Sequence, residues 1–412
     1  MSQPGNPLLS IRVPVPWGEV RADHIEKAIE QLLVSSQSKL DAIGDPKTPR
    51  TYESTLGALD LATGELDFAM NVAGHLEAVL GTPELRDAYN AVLSPVTAFY
   101  SKIVLSEPLY KALLDLAATD EAKGLDPARA RYLKKTLDDF RRNGAELDAK
   151  GKKRLAEIDV ALAQKTQEFA QNVVDATAAF ELVVEDVSRL SGLPEGALEA
   201  AKKSAEERGK KGYRLTLQAP SSGPVMTFAD DRGLRETIYR ANVTRASRTN
   251  PGLVREVLEL RREKASLLGF SHFADLATDD RMAKSGKKAL DFVNMLRERL
   301  LPGFERENAE LLAFARKNGH EGELEPWDTA YWAEKQRRAL YDFDEETLRP
   351  YHPLDRVLRG LFEIASKLYG ITIERLPEAK VWHRDVTAWS VKDEDGKRIG
   401  RFYLDLFPRE TK

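Results

Sequence analysis

Apolar residues recur every three or four positions along most of the chain, the period of helices that bury one face. From Thr55 to Leu80 the stripe is Leu56, Leu59, Leu66, Met70 and Ala73. A longer helix is predicted after Gly151, with Leu155, Ile158, Leu162, Phe169, Val173 and Ala176 inward and Thr166 filling one place. Pro108 and the Gly124–Pro127 stretch punctuate further helices between them. Lys287 to Lys317 reads as another long helix, with Leu290, Val293, Leu296, Leu300 and Phe304 facing a core. Pro302 should kink it or split it in two.

Two zones leave this period. Ala179–Val184 and Tyr213–Gln218 read as strands, the second ending in the turn-like Ala219-Pro-Ser-Ser-Gly-Pro224, with a polar helix near Glu195–Arg208 between them. The second zone runs from Ile371 onward. Asp395-Gly396 separates DVTAWSV from RIGRFYLDLF, which predicts a hairpin with a tight primed turn. The fold class expected is mainly α: multi-helix lobes with small β inserts and a C-terminal β-hairpin. Four segments are expected: a helical region over 1–177, a small mixed α/β insert over 178–229, a helical region over 230–370 and a β region over 371–412.

In the last strand Phe402, Leu404 and Leu406 alternate with Arg401, Tyr403 and Asp405. The apolar set needs a covering layer. The other set offers a cation, a phenol and a carboxylate to a groove or to water. With His383, which follows Trp382 at a strand edge, Arg401, Tyr403 and Asp405 are the candidate site residues of this zone.

Composition narrows the chemistry. The 412 residues carry 62 Lys and Arg against 66 Asp and Glu, a net charge of −4 with the signs interspersed. No basic stripe marks a nucleic-acid partner. Zero cysteines exclude disulfides, thiolate metal sites and cysteine nucleophiles. No apolar run is long enough to span a membrane, and the opening residues do not read as a secretory signal, so a cytoplasmic location is expected. The closest two of the six histidines, His352 and His383, stand 31 positions apart, so no H-x-x-x-H pair can frame a zinc ion on one helical face. His320 reads as a loop residue and His272 as a helix-opening one. Phosphate-binding glycine loops and the G-x-S-x-G elbow are also missing. No catalytic residue and no metal ligand is expected in this chain.

Several stretches, in order, carry a resemblance to one family. They begin with Asn6-Pro7-Leu8-Leu9 and the helix start at Val20–Ile25. FELVVEDVSRLSGLPE (Phe180–Glu195) and the segment Gly212–Ser247 follow. Then come LRREKASLLGFSHFADL (Leu260–Leu276), RMAKS (Arg281–Ser285) and LEPWDTAYWAEK (Leu324–Lys335), the last similar to the family's Trp-Asp-x-x-Tyr-Tyr segment. Leu348–Ile371 and GRFYLDLFPRETK (Gly400–Lys412) complete the set, and in this order the stretches resemble the zinc metallo-oligopeptidases of the thimet oligopeptidase type, which include oligopeptidase A and bacterial peptidyl-dipeptidase. His352 stands where a Phe is usual and Trp332 where a Tyr is usual.

The resemblance implies two helical lobes flanking a channel that admits short peptides, with Arg401, Tyr403, Asp405 and His383 as the candidate substrate-channel or interface residues. It places the H-E-x-x-H helix, a further Glu ligand and the transition-state Tyr and His residues downstream of the strand that ends in P-R-E-x-K. The zinc and its general base would then come from a complementary C-terminal part, and this chain alone would bind no zinc and be inactive. On this expectation the chain is a truncated product, a proteolytic fragment or a natural half-protein. Its partners would be short peptides and that complementary chain. A non-catalytic peptide-binding or scaffolding relic, and a purely helical interaction module, are the alternatives.

Overall fold

The computed structural model describes residues 5–342, 345–409 and 412. Glu410 and Thr411 of the closing P-R-E-x-K motif lie outside the described residues. The described helices are α1 (Ala22–Gly44), α2 (Ala58–Leu61), α3 (Gly64–Leu80), α4 (Pro83–Leu105), α5 (Glu107–Ala117), α6 (Asp120–Lys123), α7 (Pro127–Arg142) and α8 (Ala149–Ala179). They continue with α9 (Glu195–Glu206), α10 (Ala219–Phe228), α11 (Arg232–Val243), α12 (Asn250–Leu267), α13 (Phe273–Thr278), α14 (Gly286–Lys317), α15 (Pro326–Tyr341) and α16 (Leu354–Tyr369). The strands are β1 (Leu182–Val184), β2 (Tyr213–Leu215), β3 (Thr372–Arg375), β4 (Thr387–Lys392) and β5 (Arg398–Leu404). The fold is mainly α with small β inserts.

Local chemistry explains many helix starts. Thr82, Ser106 and Asp126 each accept a backbone N–H of the first turn, and each is followed by a proline at one of the first two helical positions. A proline there loses no hydrogen bond, and its fixed φ suits the helix. The first helical body packs α1 against α3, α4 and α5, with α8 on the far side of α4 and α12 on α8. Its core includes Ile25, Ile29, Leu32, Leu56, Leu66, Leu76, Phe99, Leu113 and Phe140.

A second core forms where β1 pairs antiparallel with β2 and α9, α10 and α11 close over them. Val184, Leu190, Leu215, Val225, Leu234 and Ile238 are buried there. Gly192 fixes one approach in this core. Its φ is +88°, and a Cβ at this position would lie 2.2 Å from the Phe228 carbonyl oxygen. Gly192→Ala should therefore cost more than about 1 kcal/mol of stability, as compatible glycine sites never do. Urea unfolding followed by circular dichroism tests this.

The third unit places α16 beside a sheet of order β3-β4-β5, antiparallel throughout.

Several expectations need correction. The predicted helix over 55–80 is broken: a π turn at Glu53–Gly57 and α2 precede a fresh start at Gly64. Thr63 bonds the Asp67 carboxylate there at 2.9 Å. The stripe of α8 buries only its first half, Leu155 and Ile158, and Phe169 is exposed. Along its length α8 meets α12 through polar pairs, from Arg154 with Glu263 at 2.6 and 2.8 Å to Asn172 with Asn250 at 2.9 Å.

The residues from Ala219 to Pro224 form the first turns of α10 rather than a loop, since seating Val225 in the second core outweighs the cost of Pro224. Pro302 does not split α14. It is exposed on the solvent side of the continuous helix. The larger surprise is the face of α14 itself. Leu290, Val293, Leu296, Leu300 and Phe304 are exposed, Leu300 by 65%, and only Leu311 and Ala315 of this helix are buried.

The last hairpin does not use a two-residue primed turn. The Asp393 N–H donates to the Lys397 carbonyl and the Gly396 N–H to the Asp393 carbonyl, and Gly396 takes φ +76°. This is a three-residue loop with its left-handed residue at the glycine. A bulge at Val391/Lys392 follows.

Candidate functional site

The alternation in β5 divides its side chains between two surroundings. Phe402 lies stacked over Trp389 at 6.4 Å and edge-on to Phe362 of α16 at 6.0 Å. Leu404 and Leu406 line a groove of about 800 Å³ with Leu354, Leu358, Phe362 and Trp389. Thus α16 covers part of the apolar face and leaves the rest open. The outer face of α16 is open too: Leu361, Ile364 and Leu368 are exposed, Leu368 by 69%. These residues recur at the spacing of a helix stripe that normally meets a partner surface.

The candidate residues on the opposite face of β5 are tied to this chain's own first helical body. Tyr403 packs on Trp382 at 5.3 Å and on Trp17 at 6.1 Å. Asp405 takes two hydrogen bonds from Arg409, at 2.7 and 2.8 Å, and one from Trp382 Nε1 at 3.0 Å. Lys412 Nζ lies 3.2 Å from it. The Arg409 bonds hold the Asp405 carboxyl well below the usual carboxylate range, with Trp382 and Lys412 adding to them against the opposing effect of burial. Arg401 lines a separate cavity of about 320 Å³ with Pro14, Val15, Pro16 and Arg398. His383 is not gathered with them: its Nδ1 accepts the Asp385 N–H at 3.3 Å. The structure therefore joins Tyr403 and Asp405 through Trp382 and leaves Arg401 and His383 apart.

Two clusters escaped the sequence reading. In one, Trp17 and Trp382 enclose His75 of α3, with ring centroids 4.8 and 4.3 Å from the imidazole. In the other, Asp328 is fully buried on α15 and receives Arg232 (2.8–3.1 Å) and Arg235 (2.9 Å) from α11. Arg235 is itself buried and also donates to the carbonyls of Trp327 and Ala229. Burial alone would push the Asp328 carboxyl up, but the two arginines and the Glu325 N–H outweigh it and hold the group low. The Trp-Asp pair of LEPWDTAYWAEK was visible as a motif. Its role as a buried clamp on DDRGLR was not. Trp332 packs on Phe314 at 6.4 Å and His320 at 5.8 Å, fixing the end of α14 to α15.

The histidines serve local ends. His24 caps α1 with Arg21, His272 is the N-cap of α13, and His320 contacts the Glu323 carbonyl at 3.0 Å. Among the described residues no group of three His, Cys, Asp or Glu side chains is placed to hold a metal ion. The described residues do not fit a zinc centre.

Comparison with known proteins agrees with the order of motifs. The family model "Neurolysin/Thimet oligopeptidase, N-terminal domain" matches residues 29–153, and "Peptidase family M3" matches 225–412. The chain is 36% identical to Oligopeptidase A of Haemophilus influenzae, over 99% of this chain and 61% of that protein. Oligopeptidase A of Escherichia coli gives the same three figures. Dipeptidyl carboxypeptidase of Escherichia coli is 27% identical, over 96% of this chain and 59% of its own length. The chain thus spans about three-fifths of the length of the curated relatives it matches. With both family models matched in order and relatives aligned along nearly all of it, the chain belongs to the thimet oligopeptidase and oligopeptidase A family of metallopeptidases.

Proposed function

We propose that this chain supplies one lobe and part of the channel wall of a zinc-dependent oligopeptidase that hydrolyses short peptides. The metal and the general base come from polypeptide that this chain does not include. The observation that carries the reading is the likeness to oligopeptidase A along 99% of the chain. Two features support the division of labour. The described residues do not fit zinc, and the faces of α14 and α16 expose long apolar stripes that a covering surface would bury. In this reading 1–177 and 230–370 are the helical regions, 178–229 is the insert, and 371–412 leads toward the metal-bearing part. Arg401, Tyr403, Asp405 and His383 remain the candidate substrate-channel or interface residues, Tyr403 and Asp405 facing that role from their contact with this chain's own Trp17, Trp382 and Arg409. A cytoplasmic location is part of the proposal. For the membrane, the described residues hold no helix long and apolar enough to cross one.

The test mixes the purified chain with a separately made polypeptide that covers the remaining length of its relatives. A quenched fluorescent peptide reports hydrolysis. Chelator-sensitive cleavage should appear only in the mixture. Cleavage at an enzyme-like rate by the chain alone, its purity verified by intact mass, would sink the assignment of roles. A chain that binds peptides but stays inert in a stable mixture would favour the non-catalytic relic.

A further inference from the structure

The C-terminal sheet meets the first helical body at a cluster drawn from four places. Trp17 comes from a short 3-10 turn at Trp17–Glu19, His75 from α3, Trp382 from the segment before β4, and Tyr403 from β5. Polar contacts beside it are Arg409 Nη2 to the Val79 carbonyl at 3.1 Å and Lys380 to Glu19 at 3.4 Å. His75 is the titratable group in the middle, edge-on to Trp382 and tilted against Trp17. Its Nε2 is buried with no hydrogen-bond partner, and so is Trp17 Nε1.

That environment treats the two protonation states differently. A neutral imidazole can leave Nε2 as an unprotonated nitrogen among rings, at the cost of one missing hydrogen bond. An imidazolium must place a charged N–H donor in the same spot without a partner, which is far more costly. We propose that His75 is a proton-sensitive clasp: neutral, it holds the C-terminal sheet on the helical body, and protonated, it lets the sheet go.

The charges around it do not reverse this. From the β5 side Asp405 favours the imidazolium, but its carboxylate is already engaged by Arg409 and Lys412, whose charges oppose it. From the N-terminal turn Glu19 is turned to Lys380 and Arg12. Before β4, His383 and Asp385 face each other at 3.5 Å, and Asp385 acts on Arg409. Tyr403 packs on the two tryptophans. The net effect of burial, with Asp405 opposing, is an imidazole held below its ordinary value of 6.5.

The sign follows from linkage. The undocked state takes up the proton near the ordinary value, while the docked state takes it up only at lower pH. Attachment is therefore at full strength above the ordinary value of 6.5 and weakens as pH falls below it, levelling off beneath the docked value. Each unit of depression lowers the docked-to-undocked ratio by about tenfold.

The full chain tests this directly. It has no cysteine, so Glu30→Cys on α1 and Glu394→Cys at the hairpin tip, both exposed, can be spin-labelled without competition. Pulsed electron resonance should give one narrow distance distribution at about pH 7.5 and a broader, longer one at about pH 5.5. His75→Phe keeps the ring packing and cannot titrate, so its distribution should stay narrow at both values. No change in the parent chain, or an identical pH response in His75→Phe, overturns the proposal. Should the Phe variant fail to fold, imidazole NMR of the parent decides. His75 titrating together with the distance change supports the clasp, and titration uncoupled from it overturns it. The outcome is independent of the peptidase reading.

Discussion

Asp328→Ala is expected to cost about 3–5 kcal/mol and to melt the packing of α10, α11 and α15 first. Asp328 is fully buried, and Arg235, 2% exposed, stays behind as a charge without its carboxylate. Arg235 would keep its bonds to the Trp327 and Ala229 carbonyls and its place 4.0 Å over the Tyr331 ring. Those neutral partners cannot offset a desolvated guanidinium. Asp328→Asn keeps an acceptor without the charge and should fall between the two. A double variant, Asp328→Leu with Arg235→Met, should recover much of the loss, because two apolar groups leave nothing unpaired. Urea unfolding at neutral pH gives the ranking. The pH dependence has a fixed sign: the carboxyl is held below its ordinary value of 3.8, so its contribution is complete above that value and fades as pH falls through the depressed one.

The second large effect concerns association. Leu361→Asp with Leu368→Asp should leave the stability of the chain within about 0.5 kcal/mol, since both side chains are exposed on α16. Binding to the metal-bearing part should nonetheless weaken by at least about 100-fold, because two apolar anchors of about 1.5–3 kcal/mol each are lost and two carboxylates are desolvated. Peptide hydrolysis by the mixture should fall in step. Calorimetric titration and the fluorescent peptide assay measure the two arms. Unchanged binding would show that this face of α16 is not the contact. Leu404 is a poorer probe, because it lines the groove beneath α16 and its replacement would disturb this chain's own packing.

The period of apolar residues located α3, α8 and α14 and left α1, α4 and α12 unread, and period carries no information about what a face meets. Leu290, Val293 and Leu300 read as core, and they are exposed because no described part of this chain lies over them. Propensity misjudged Ala219–Pro224, where two prolines and a glycine read as a turn and burial of Val225 decided for a helix. Asp395-Gly396 marked the hairpin correctly. The loop length depended on the pairing of Asp393 with Lys397, which no dipeptide encodes. The clusters failed for a simpler reason. Arg235 and Asp328 are 93 positions apart, and His75 meets Trp382 across an even longer interval, so only folding reveals that they touch. The motif that contains Trp327 and Asp328 carried the family resemblance, while the reason for its residues stayed hidden until Arg232 and Arg235 were placed beside it.

The length of α14 sets a dimension. At 1.5 Å per residue its 32 residues run roughly 48 Å, held at one end by the Ser285 cap and at the other by Leu311 and Ala315. Between them, the exposed stripe from Leu290 to Phe304 is roughly 21 Å long, about four helical turns. A surface that covers it must stop short of Leu311, where the helix is already occupied by α15. One helix of ordinary length, laid along the stripe, would be enough.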